Sequence, residues 1–116
     1  MFNFASSLRI YLCVEPTDMR KSFNGLYAIA QHELERNPMD GSLFVFANRR
    51  RDRVKLLYWD GTGFWVLAKR LEKGTFWWPA PGEAEAGGLE IKPEALSMLL
   101  NGIDLKAGSL RAWFCR

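Results

Sequence analysis

Residues 54–70 read VKLLYWDGTGFWVLAKR, and they carry the clearest indication of the fold. Two runs rich in aromatic and β-branched residues flank a connection of four residues, Asp60–Gly63, which contains two glycines. Extended runs of this kind around a short glycine-containing connection are typical of a β-hairpin. The sequence therefore predicts a hairpin at the centre of a β-sheet.

The cations of this hairpin cluster at the end away from its turn. The short connection pairs Trp59 with Phe64. Continuing the register places Arg53 opposite Arg70, and alternation puts Lys55 on the same face. Like charges that face each other across strands are destabilising unless an anion lies beside them. The pattern therefore favours an anionic partner at this end of the hairpin.

The segments on either side of the hairpin predict the remaining elements. Strands are expected at residues 8–14, 43–47 and 89–91, where apolar and β-branched residues predominate. Apolar residues at helical spacing predict a helix over 18–36, with Thr17 or Asp18 as its N-cap. Pro93 fits the first position of a second helix that ends at Leu100, and Gly102 fits its C-terminal stop.

Together these elements predict an α+β fold. We expect a single domain over residues 1–116, in which one long N-terminal helix and a short C-terminal helix pack an antiparallel sheet. A chain of 116 residues with 48% hydrophobic composition can bury one such core. Residues 79–88, which are small and acidic, are expected to form a surface loop, and residues 105–116 form a tail.

The charge of the chain is concentrated in its middle. The net charge is +3, but residues 49–73 carry eight cations against three acidic residues. The loop NRRRDR at 48–53 provides four of the cations. Arginine offers forked donors that suit phosphate, so a basic segment of this kind indicates binding to nucleic acid. The alternative is a solvated loop that keeps an aromatic-rich sheet soluble and protects its edge.

A second basic pair, Arg20 and Lys21, follows Asp18 at the predicted start of the long helix. Cations are unfavourable there unless an anion binds, although Asp18 and Glu15 also offset the charge of two exposed side chains. The predicted nucleic-acid-binding residues are therefore Arg49, Arg50, Arg51, Arg53, Lys55, Lys69, Arg70, Arg20 and Lys21.

Aromatic residues provide the competing hypothesis. Both faces of the hairpin are apolar near its turn, which favours a protein partner or self-association. In the aromatic segment that follows the hairpin, Trp77 and Trp78 are predicted to form an exposed hook for a protein partner. The alternative is that these tryptophans belong to the core, which a small domain must also fill.

Residues suited to catalysis or metal binding are scarce. The chain has one histidine, His32, and two cysteines, Cys13 and Cys115, so neither a histidine-based site nor a zinc site with paired CxxC motifs is expected. We predict no catalytic residues, no metal and no cofactor. The N-terminal residues lack a basic leader, and no apolar run approaches about 18 residues. These features predict a cytoplasmic protein without membrane contact.

Two longer segments, RIYLCVEPTDMRKSFNGL at 9–26 and GSLFVFANRRRDRVKLLYWDGTGFWVLAKRLEKGTFWWP at 41–79, resemble a known family. The chain is similar to TnpB, the accessory protein encoded by the second open reading frame of the insertion sequence sixty-six family of bacterial transposable elements. A weaker similarity extends over 91–104. The chain departs from the family pattern at Asn48, where arginine is common, which removes one charge from the basic loop.

The resemblance implies a role in transposition beside a separate transposase that carries the DNA-cutting carboxylates. We therefore predict a non-catalytic accessory factor that binds the DNA ends of the element and helps to assemble the transposase complex. The alternative is a protein adaptor that binds the transposase or another element-encoded protein without contacting DNA, and a nuclease comes third. Self-association into a homo-oligomer is compatible with each of these predictions.

Overall fold

The computed structural model describes residues 7–80, 82 and 88–102, which form five strands and two helices. Helix α1 comprises the α-helical residues Phe23–Ala28 and a π-helical continuation, Ile29–Glu33, and helix α2 spans Pro93–Leu100. The strands in chain order are β1 Ile10–Leu12, β2 Leu43–Ala47, β3 Arg53–Trp59, β4 Phe64–Arg70 and β5 Leu89–Ile91. Within these ranges no helix is long and apolar enough to cross a membrane.

The strands form one mixed sheet in the order β4-β3-β2-β1-β5. Strands β1 and β2 are parallel, and the other neighbouring pairs are antiparallel. The prediction of a purely antiparallel sheet is therefore wrong. A parallel pair needs a crossover connection, and α1 provides it between β1 and β2.

The hairpin of β3 and β4 has the register that its sequence predicts, but it lies at one end of the sheet, so the prediction that it lies at the centre is wrong. Trp59 pairs with Phe64, and Arg53 pairs with Arg70 at the far end. Strands β2, β4 and β5 and helix α2 also lie where they are predicted. Gly102 ends α2 in the left-handed conformation, with a φ of 81°. The first strand is shorter than the predicted 8–14.

Two hydrophobic layers enclose the sheet, one on each face. All five residues of β2 are buried, as expected for a continuous apolar run at the centre of a sheet. Helix α1 covers one face through Leu26, Ile29 and Ala30, which pack on Phe44 and other residues of the sheet. The other face is covered by α2 and by the segment that follows β4, through Phe76, Trp78, Ala95, Leu96 and Leu99.

The long N-terminal helix predicted over 18–36 is not present. Helix α1 has eleven residues and begins at Phe23, because the preceding segment makes other hydrogen bonds. The backbone N–H of Thr17 donates to the carbonyl of Ala47 at 2.8 Å, which holds Thr17 against the end of β2. The Asp18 carboxylate accepts from the backbone N–H of Arg20, so it stabilises a turn rather than the helix. Glu35, with a φ of 56°, then turns the chain away after α1.

The prediction that Trp77 and Trp78 form an exposed hook is wrong for Trp78. Its side chain is 8% exposed, and its indole N–H donates to the carbonyl of Cys13 at 3.0 Å. Trp77 is half-buried and packs against the same hydrophobic layer. The segment therefore serves as part of the core, which a sheet with two apolar faces requires. The predicted tail and most of the predicted loop at 79–88 lie outside the described residues.

Candidate nucleic-acid interface

The basic loop between β2 and β3 is held by its own side chains. The Asn48 carbonyl oxygen accepts hydrogen bonds from the backbone N–H groups of Asp52 and Arg53, each at 3.1 Å. The Asn48 amide also donates to the Asp52 carboxylate at 2.7 Å, and this bond is the main cause of the lowered pKa of Asp52. The loop therefore presents its arginines from a fixed backbone.

A cleft of about 660 Å³ lies between this loop and the segment that precedes α1. The segment is held close because the backbone N–H of Thr17 donates to the carbonyl of Ala47 at the end of β2. The loop and the residue that begins β3 contribute Asn48, Arg49, Arg50 and Arg53 to the cleft. The facing segment contributes Arg20 together with Pro16, Thr17, Asp18 and Met19. Two separate basic segments of the sequence thus meet at one site.

A second cleft, of about 470 Å³, continues along the hairpin from the first. Met19 and Arg53 line both clefts, so the two adjoin. Lys55 and Arg70 extend the positive charge along the face of the sheet that carries α1. Six cations line the two clefts on this face and together form the basic surface: Arg20, Arg49, Arg50, Arg53, Lys55 and Arg70.

Acidic partners neutralise only part of the basic surface. Asp18 pairs with Arg20 at 2.7 Å, and Glu72 pairs with Arg70 at 3.2 Å. Hydrogen bonds from Arg20 lower the pKa of Asp18 to about 2. Among the described residues, none forms an ion pair with the three remaining arginines, Arg49, Arg50 and Arg53. These three side chains leave a concentrated positive charge that is open to an anion.

Three predicted binding residues stand apart from the basic surface. Arg51 lines neither cleft, and burial lowers its pKa. Lys69 borders the second cleft, but its ammonium group donates to the carbonyl of Leu100 at 2.6 Å, at the end of α2 on the opposite face. Lys21 is exposed and lines neither cleft. Its contribution is its backbone carbonyl, which accepts a hydrogen bond from the Lys55 ammonium at 2.8 Å.

The sequence interpretation missed two residues of the site. In the sequence Asn48 stands out only as one positive charge fewer, whereas in the structure its side chain holds the loop. An asparagine in a short connection between two strands is a signal of this role, because asparagine side chains often bond to the backbone of a turn. Met19 falls within the helix predicted over 18–36, but it lies before α1 and lines both clefts. No local pattern indicates that position, because it depends on where the helix begins.

The described residues contain no group of three or more His, Cys, Asp or Glu side chains that could hold a metal ion. Cys13 is buried on the α1 side of the sheet, and burial raises the pKa of its thiol to about 11. The thiol is therefore protonated at neutral pH and poorly suited to act as a nucleophile. Within the described part of the chain, the arrangement that stands out is the pair of positively charged clefts.

The sequence of the chain is similar to that of known proteins. Residues 8–109 match the family model described as IS66 Orf2 like protein. Uncharacterized protein y4hO of Sinorhizobium fredii (strain NBRC 101917 / NGR234) is 40% identical over 104 residues, which cover 90% of this chain and 88% of the relative. Uncharacterized protein y4jC of the same strain is 38% identical over 104 residues, with 90% and 86% covered. No solved structure matches the chain significantly.

Proposed function

Because this chain belongs to the IS66 Orf2 like family, which points to an accessory role in the transposition of insertion sequences, we propose that it is a non-catalytic factor that binds the DNA of the element. Binding takes place on the basic surface, and the bound protein helps to assemble the transposase complex at the element ends. The observation that carries the proposal is the meeting of Arg20 with Arg49, Arg50 and Arg53 in one cleft.

Phosphate is the anion that this geometry suits best. Arginine side chains bind phosphate through paired N–H donors, and three of these arginines form no ion pair among the described residues. Arg53 and Arg70 face each other across β3 and β4, so an anion between them would relieve a repulsion. Contacts of this kind recognise the sugar–phosphate backbone and give affinity with little dependence on base sequence.

The alternative function is a protein adaptor that contacts the transposase through Trp77 and Trp78. It has less support, because Trp78 is buried and Trp77 packs against the same core. Exposed large apolar side chains in the described ranges are Phe23, Met39 and Trp65. None of these three lines either positively charged cleft.

Salt dependence tests the proposal directly. If a protomer neutralises about five phosphates of a duplex, the logarithm of its affinity should fall against the logarithm of salt concentration with a slope of about −4.5. Replacing Arg49, Arg50 and Arg53 together with alanine should flatten this slope by up to about 3 units. Fluorescence anisotropy with duplexes from the element ends and with unrelated duplexes measures the slope and the sequence preference.

A matched variant removes three cations outside the clefts. Arg9, Lys73 and Lys92 are exposed and line neither cleft, so their joint replacement with alanine changes the net charge equally. This variant should retain most of the wild-type slope. Equal flattening in both triple variants would point to a general charge effect, and absence of binding at low salt would overturn the proposal.

A further inference from the structure

Strand β4 leaves one of its sides without a partner among the described strands. It lies at the end of the sheet and has seven residues, Phe64–Arg70. The hydrogen bond from the Asp60 N–H to the Gly63 carbonyl sets the alternation of the ladder between β3 and β4. This alternation directs away from β3 the backbone N–H and C=O groups of every second residue of β4, namely Phe64, Val66, Ala68 and Arg70. A long edge with unpaired groups is a template for another strand.

The side chains of this edge are apolar at one end and cationic at the other. Trp65 is 56% exposed, and its indole N–H donates to the Asp60 carboxylate at 2.7 Å. Thr62 and Gly63 also bond to that carboxylate, so the turn holds the tryptophan in a fixed position. Lys69 and Arg70 lie at the opposite end. A side chain that is already ordered loses little entropy when a partner covers it.

We infer that β4 pairs antiparallel with β4 of a second copy of this chain, in a register centred on Leu67. In this register each of the seven residues of one strand has a partner in the other. Lys69 faces Trp65 of the second copy, and Arg70 faces Phe64, so both cations meet aromatic rings instead of like charges. Val66 faces Ala68, and the two copies of Leu67 face each other.

Neighbouring registers are less complementary. A pairing centred on Val66 places Arg70 opposite the Asp60–Gly63 turn, beyond the end of the strand. A pairing centred on Ala68 leaves Trp65 opposite Leu71 and Phe64 opposite Glu72, both of which follow β4. The charge pattern therefore selects a second copy in one register, with an isologous interface in which the same strand serves both protomers.

The consequence of this pairing is a continuous sheet. Two sheets of five strands join through β4 into one of ten, and the two-fold axis passes through the sheet between the two Leu67 residues. Residues that face each other in an antiparallel pair lie on the same side of the sheet. The α1 faces of both protomers, and with them both basic surfaces, therefore lie on one side. The inference itself does not depend on DNA binding.

The mass of the protein in solution tests the pairing. Sedimentation equilibrium or light scattering after gel filtration should show a dimer for the wild type. Val66→Pro should give a monomer, because it removes an N–H that points away from β3 and leaves the ladder to β3 intact. Val66→Thr keeps both the N–H and the branched shape, so it should remain a dimer. A wild-type monomer, or a dimer that persists in a folded Val66→Pro variant, would overturn the inference.

Two further variants test the register and do not depend on the tolerance of β4 for proline. Trp65→Lys should break the dimer because the new cation faces Lys69, whereas Trp65→Glu should preserve it by facing the same lysine with an opposite charge. In a Cys115→Ser background, Leu67→Cys should form an intermolecular disulfide on oxidation, since the two positions are directly opposed. Trp65→Cys is the matched control and should not cross-link to itself. Cross-linking at Trp65 in place of Leu67 would contradict the register.

Discussion

The Asn48 side chain determines the shape of the basic loop with very few atoms. Its carbonyl oxygen binds two consecutive backbone N–H groups, and its amide nitrogen binds the Asp52 carboxylate. The resulting loop places Arg49 and Arg50 in the first cleft, while Arg51 takes a positive φ of 63° and lies outside both clefts. Three adjacent arginines in sequence therefore differ in their environment because of one neighbouring amide.

Asn48→Ala should destabilise the fold and weaken DNA binding together. The substitution leaves two backbone N–H groups and one carboxylate without their partner, which should lower the free energy of unfolding by about 1–3 kcal/mol. Asn37→Ala is the matched control, since the Asn37 side chain accepts one exposed backbone hydrogen bond, from Met39. Denaturant unfolding of both variants measures the difference. Equal effects would contradict the role of Asn48 in holding the loop.

Trp78 gives a second prediction about a single residue. Trp78→Ala should lower the free energy of unfolding by about 3–5 kcal/mol, because the side chain is buried between the sheet and α2. Trp78→Phe keeps most of the packing and loses the hydrogen bond to Cys13, so about 1–3 kcal/mol is expected. Thermal or denaturant unfolding measures both. An unchanged midpoint for Trp78→Ala would restore the hypothesis of an exposed hook.

Among the elements, the β3–β4 hairpin depends most clearly on its turn. The Asp60 carboxylate accepts hydrogen bonds from the N–H of Thr62, the indole of Trp65, the hydroxyl of Thr62 and the N–H of Gly63. These bonds, the Thr62 N–H first, lower the pKa of Asp60 to about 2 from an ordinary value of 3.8. The turn therefore holds its geometry with an ionised side chain.

The lowered pKa of Asp60 determines in which direction the stability of the fold changes with pH. Because the carboxylate is favoured in the folded state, its contribution to stability is present above pH 4 and is lost as the pH falls towards 2. The indole N–H resonance of Trp65 in an NMR titration should follow this change with a midpoint at about pH 2. Asp60→Asn removes the titrating group and should abolish the transition. A midpoint at the ordinary value would show that the bonds to Asp60 do not persist in solution.

Elements set by local pattern were predictable, and elements set by competition between local and distant bonds were not. The hairpin register follows from the length of its turn, and α2 follows from Pro93 and Gly102 at its ends. The start of α1 depends instead on the bond between Thr17 and Ala47, which are thirty residues apart in sequence. The parallel pairing of β1 with β2 depends in turn on how the chain between these strands, which contains α1, crosses the sheet.

At the scale of the whole molecule, folding divides the basic segment. The sequence places eight cations within residues 49–73, but the structure directs Lys69 to the opposite face and leaves Arg51 outside the clefts. It adds Arg20 from a segment far away in the chain. Composition could predict the presence of a basic surface. Which cations belong to that surface depends on strand alternation and on the path of the chain before α1. A count of charges along the sequence includes neither.

The proposed dimer and the proposed DNA interface together make a prediction that neither makes alone. With both basic surfaces on one side of a ten-stranded sheet, one duplex can contact both protomers and release counterions from twice as many phosphates. The wild-type protein should then show a salt slope about twice that of the monomeric Val66→Pro variant, since the slope is proportional to the number of phosphates contacted. Val66 lines neither cleft, so the affinity of a single basic surface should be retained. Anisotropy titrations at several salt concentrations, with the dimeric Val66→Thr variant as control, measure the ratio. A dimer with the same slope as the monomer would mean that the two basic surfaces do not engage one duplex, even if each binds DNA.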